Sequence, residues 1–95
     1  MRVIKPIIEN TDTAGFEIDL PGAPLVVARG KKGFVMCGYL DVRTADKLGT
    51  AAAVVRGIKT IQDLLNASIT DVSTTAQTLG VRTGMTGREA LLVLS

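Results

Sequence analysis

The chain has 95 residues, 46% of them apolar, with a formal net charge of +2, one cysteine and no histidine. That length bounds it to one domain, and the missing imidazole excludes Ser-His-Asp and Cys-His catalysis as well as His-rich zinc sites. A mean hydropathy of +0.33 is more than so small a domain can hide within itself, so some apolar surface is expected to meet another copy of the chain.

The opening MRVIKPIIEN breaks its apolar residues with Lys5 and Glu9 and has no small-residue cleavage site. It therefore reads as the start of a mature cytoplasmic protein rather than a signal peptide. No apolar run approaches the roughly 20 residues of a membrane span. A single cysteine has no partner for an intramolecular disulfide, which fits a reducing compartment.

Val3 to Glu9 reads as a strand, and Pro6 within it argues for a sheet edge or a bulge. NTDTAG (Asn10 to Gly15) is turn chemistry; it resembles a calcium loop only loosely, because Ala14 stands where a ligand is needed. In AGFEIDL the alternation sets Phe16, Ile18 and Leu20 against Glu17 and Asp19. PGAP (Pro21 to Pro24) is a second turn, and Gly30 to Gly33 joins LVVAR (Leu25 to Arg29) to FVMCGYL (Phe34 to Leu40) as a hairpin. Both of these strands are apolar on both faces, the mark of strands covered on two sides. One face is expected to carry helices, and the other a neighbouring sheet or subunit.

After Asp41 the period lengthens, and Thr44 to Gly57 reads as one helix with Ala45, Leu48, Gly49, Ala52 and Val55 in a stripe. Gly57 suits its end. Thr60 with Asp63 caps a short helix, TIQDLLNA; Ser68 to Ser73 is a last strand; Ser73 caps another short helix. Thr86 and Glu89 form a T-x-x-E capping box opening GREALLVL. The fold class is thus α+β, a single domain over residues 1–95, with a β-rich first part (1–40) that carries oligomerisation and a mostly helical second part (41–95).

Few chemistries remain open. One cysteine and nine carboxylates with no D-x-D pairing provide no metal site, and no cofactor is expected. The basic run RGKKG is a turn rather than a face, and Phe16, Phe34 and Tyr39 are too few to stack bases, which argues against nucleic acid. Thr86, Gly87 and Arg88 open a helix where an anion could bind, but the capping box competes for the same amides.

The segment around Cys37 supports two readings. In one, Cys37 is a nucleophile or redox thiol near a helix start, activated by Arg43 or Lys47, with Asp41 or Tyr39 handling protons. In the other it is a small buried residue, Gly38 relieves crowding at the strand–helix junction, and Asp41 caps the helix. Without a histidine to activate the thiol the structural reading is preferred.

GFVMCGYLDVRTADKLGTAAAVVRGIKTIQDLLNA followed by GVRTGMTGREAL resembles the YunC-like family of small bacterial and archaeal proteins of unknown function, over roughly residues 30 to 94. The resemblance implies an α+β domain whose N-terminal β region mediates tetramer formation. It transfers no catalytic role, but its signature holds Cys37, Gly38, Asp41 and Lys47.

The expectation is a cytoplasmic homo-oligomer, probed best at a ligand site made from Cys37, Gly38, Tyr39, Asp41, Arg43 and Lys47. A small enzyme using Cys37 and a purely structural assembly protein are the alternatives.

Overall fold

A computed structural model describes residues 1–95. Six strands run β1 (Arg2–Ile4), β2 (Ala14–Ile18), β3 (Leu25–Arg29), β4 (Gly33–Met36), β5 (Ala51–Val54) and β6 (Asp71–Val72). Four helices are interspersed: α1 (Val42–Leu48), α2 (Ile61–Asn66), α3 (Thr74–Thr78) and α4 (Gly87–Leu94). The strands form one sheet in sequence order, antiparallel except for the parallel pair β4 and β5, which α1 connects. The class is α+β, as the sequence implies.

Register sorts the side chains into two faces. One row crosses the sheet as Ile4, Gly15, Ala28, Val35, Ala53 and Val72. It meets α2, α3 and α4 in the main core, with Leu64, Leu65, Ala76, Ala90, Leu91 and Leu94. The opposite row is Val3, Phe16, Val27, Met36 and Val54. Only α1 packs there, where Ala45 meets Met36, Ala52 and Val54. Beyond α1 that face lies open: Val3 is 54% exposed and Phe16 and Val27 are half-buried.

The main correction concerns Thr44 to Gly57. It is not one helix, because Gly49 takes the left-handed conformation at φ 69° and ends α1, donating its N–H to the carbonyls of Ala45 and Asp46. The following Ala51 to Val54 is a strand buried on both sides, despite the high helix propensity of alanine. Tertiary packing decides this: small side chains let α1 approach one face of β5 while the main core closes on the other. The expected stripe is therefore absent, and Leu48 points outward at 74% exposure.

Smaller differences concern strand ends. The first strand stops at Ile4, before Pro6, and β4 stops at Met36, so Cys37 to Leu40 is a turn. Within Ser68 to Ser73 only Asp71 and Val72 form a strand, Ser68 making an isolated bridge to Thr86. The second half thus carries two strands rather than one. The alternation in β2 holds, but with an inversion: Glu17 faces the helices and Phe16 and Ile18 the open face. The Glu17 Oε2 atom accepts from the Ile61 amide at 2.7 Å, which caps α2 from across the sheet.

Local hydrogen bonds form as the sequence reads. Asp41, Thr60, Ser73 and Thr86 each cap a helix, the last as a full capping box with Glu89. The Gly30 amide donates to the Gly33 carbonyl in the hairpin turn.

Candidate functional site

Met36 and Val54 end the two parallel strands side by side, and the chain leaves both at the same edge. Crevices beyond the carboxyl ends of parallel strands are the usual ligand sites of α/β sheets, because connecting loops diverge there. Here the crevice is a cleft of about 590 Å³ walled by the Gly38–Arg43 loop, Val54, Arg56 and Asp71.

Two guanidinium groups enter this cleft, each held by its own carboxylate. Arg56 Nη2 donates to Asp71 Oδ2 at 3.0 Å, and Thr70 Oγ1 donates to the same oxygen at 3.1 Å. The Arg56 head lies across Gly38: a Cβ there would come within 3.0 Å of Nη1. Glycine at this position lets the guanidinium lie close over the turn; a side chain there would push it outward by a few tenths of an ångström. Arg43 clasps Asp41 through Nη2 at 2.9 Å and Nε at 3.1 Å, while Asp41 Oδ1 accepts the Arg43 amide at 2.8 Å as the cap of α1.

Electrostatics follow these contacts. The Arg43 side chain, then its backbone amide, holds the Asp41 carboxyl below its ordinary value, with Lys47 adding a smaller pull. Asp41 in turn raises the Arg43 guanidinium. Each carboxylate is engaged by its arginine, and each guanidinium keeps N–H groups that these contacts do not use. Such an arrangement can donate hydrogen bonds to a polar acceptor.

Not all candidate residues meet here. Gly38, Tyr39, Asp41 and Arg43 line the cleft, whereas Lys47 sits exposed in the last turn of α1 and lines no cavity. Cys37 points to the main core, 4% exposed, and its Sγ accepts from the Val26 amide at 3.4 Å. It touches only a separate depression of about 310 Å³ with Pro24, Gly57 and Ile58. The Tyr39 hydroxyl donates to the Ala23 carbonyl at 2.8 Å, which ties the turn to the loop before β3.

At the start of α4 the amides of Thr86, Gly87 and Glu89 are already bound to Glu89, Ala67 and Thr86 respectively. Gly87 packs against the Leu64 carbonyl. The backbone amides of Thr86 and Gly87 are therefore both occupied and not open to an anion; Arg88 stands apart.

Arg56 and Asp71 are the cleft residues that the sequence reading misses. In a continuous Thr44 to Gly57 helix, Arg56 lies off the apolar stripe and has no reason to meet Asp71. The signal that could have found it is the unbroken apolar run Ala51 to Val55 after Gly49, which leaves no polar side for a helix.

Comparison with known proteins brings three likenesses. The family model described as a domain of unknown function, DUF1805, matches residues 36–94, a span that holds the whole cleft. The chain is 37% identical over 90 residues to the uncharacterized protein YunC of Bacillus subtilis, across 90% of this chain and 89% of that one. It also resembles the crystal structure of a protein of unknown function from Thermoplasma acidophilum, with a TM-score of 0.93 and 35% identity, over 99% of this chain and 92% of that chain.

Proposed function

The chain belongs to the DUF1805 family, and we propose that within it this protein is a self-associating binding module whose ligand site is the cleft at the carboxyl ends of β4 and β5. The observation that carries this is the pair of guanidinium groups fixed by Asp41 and Asp71 in a cleft at the usual place for ligands. Neutralised as a set, they favour a small solute with a carboxylate, carbonyl or amide oxygen over a highly charged one. The free thiol supports a reducing, cytoplasmic setting.

Self-association rests on the open sheet face. Val3, Phe16 and Val27 lie in register with Met36, and beside them an apolar groove of about 360 Å³ runs between Phe34, Met36, Leu40 and Leu48. Exposed apolar surface of this continuity marks an interface. The groove shares Tyr39, Leu40 and Asp41 with the cleft, so a partner seated there would border the ligand. A second copy is the partner, and the family resemblance implies four copies.

A thiol enzyme is the second reading. The depression beside Cys37 favours it, whereas the burial of the sulfur and its separation from Lys47 count against it.

The decisive experiment is a ¹⁵N–¹H titration against a panel of small carboxylates, amides and phosphates. Saturable shifts at Gly38 to Arg43, lost in Arg56→Gln, support the cleft. A panel that leaves those amides unmoved defeats it and leaves the assembly-only role.

A further inference from the structure

Arg88 differs from every other arginine of the chain. Arg2 meets Glu17, Arg29 approaches Asp12 at 4.0 Å, Arg43 and Arg56 hold Asp41 and Asp71, and Arg82 donates to the carbonyls of Gln77 and Val81. Arg88 has neither a carboxylate nor a carbonyl partner. It lies on the first turn of α4 and lines a cavity of about 300 Å³ between the first hairpin and α2, on the opposite side of the sheet from the open apolar face.

The composition of that cavity is specific. Its floor is Ile4, Ile7, Ile61 and Leu65, of which Ile61 and Leu65 are buried. Its exposed rim holds Arg2 and Arg88. One carboxylate, Glu17, is present, but its Oε1 is bound to Arg2 at 3.3 Å and its Oε2 to the Ile61 amide at 2.7 Å. Two guanidinium charges against one carboxylate leave a single positive charge, and Arg88 is the guanidinium that no carboxylate engages.

We propose that this cavity binds a monocarboxylate with an apolar body, of the aryl- or short alkyl-carboxylate class, its carboxylate on Arg88 and its body on Ile4, Ile61 and Leu65. The argument is one of matching. A guanidinium offers a carboxylate parallel charge-assisted hydrogen bonds, and the apolar floor rewards the burial of a hydrocarbon. A compact dianion such as phosphate would gain nothing from the floor and would be repelled by Glu17. An amine would be repelled by the net charge. At about 30 Å³ per water-sized unit the space holds on the order of ten non-hydrogen atoms, the size of a phenylpropanoate.

The test is a ¹⁵N–¹H titration of the full chain with 3-phenylpropanoate, and with acetate, inorganic phosphate and 3-phenylpropylamine as comparators. The phenylpropanoate is expected to shift the amides of Ile4, Ile61 and Leu65 saturably, with acetate about tenfold weaker or more and the other two inactive. Arg88→Gln, which breaks no hydrogen bond or ion pair of the fold, is expected to weaken binding by about tenfold, with Arg88→Lys falling between it and the wild type. Arg56→Gln, altered only in the cleft at the strand ends, is expected to bind as the wild type does, so this site stands or falls independently of that one. Absence of a saturable shift, equal affinity in Arg88→Gln, or binding of the amine or of phosphate at the same strength would each overturn the proposal.

Discussion

Replacing Gly49 by alanine separates the observed chain path from the helical one with opposite signs. In the structure Gly49 sits at φ 69°, and a Cβ there meets nothing within 4 Å, so the substitution acts on the backbone alone. A non-glycine residue in the left-handed region costs about 1–2 kcal/mol. Loss of glycine freedom in the unfolded chain returns about 0.4–1 kcal/mol, leaving a net destabilisation of about 1 kcal/mol. Were Thr44 to Gly57 a continuous helix, the same change would stabilise it by about 1 kcal/mol. Urea unfolding at fixed protein concentration, paired with a thermal melt, reads the difference; for a domain of this size about 1 kcal/mol moves the midpoint by roughly 4–8 °C. A rise in stability for Gly49→Ala would refute the assignment of α1 and β5, and with it the cleft.

Two further outcomes follow from the local contacts. The Thr86 amide, then its side chain, holds the Glu89 carboxyl below its ordinary value of 4.5, so its stabilising effect is complete above that value and is lost as pH falls through the lower folded-state value. The stability gap between the wild type and Glu89→Gln should therefore narrow on acidification from neutral pH to pH about 3, and a constant gap would contradict the capping geometry. Cys37, buried and bonded to the Val26 amide, should react with a maleimide only at the rate at which the protein opens, and quickly once denatured; rapid native labelling would favour the thiol enzyme.

What the sequence reveals here depends on range. Asp41, Thr60, Ser73 and the Thr86–Glu89 pair are legible because a cap is made within three residues, and the hairpin turn at Gly30 to Gly33 is equally local. Ala51 to Val54 is not, because three alanines favour a helix in isolation and only the approach of α1 and the main core selects the strand. The cleft inherits that difficulty. Gly38, Asp41 and Arg43 lie in one segment and stand out together, whereas Arg56 and Asp71 reach it only through the pairing of β5 with β4 and β6. Glu17 shows the same limit: its alternation with Phe16 and Ile18 is plain, but which side faces the helices depends on the amide of Ile61, far along the chain.

The outward apolar side chains of the sheet decide whether the chain self-associates as proposed. A composition rich in apolar residues for a 10.0 kDa domain, and a sheet that presents Val3, Phe16 and Val27 on its uncovered side, are what support the proposal that a second copy covers that face. Sedimentation velocity across a dilution series tests this directly, with Val3→Asp as the control. The expected result is a species heavier than one chain that Val3→Asp shifts toward the monomer while the fold persists. A wild-type protein that sediments as a folded single chain throughout the series would contradict it.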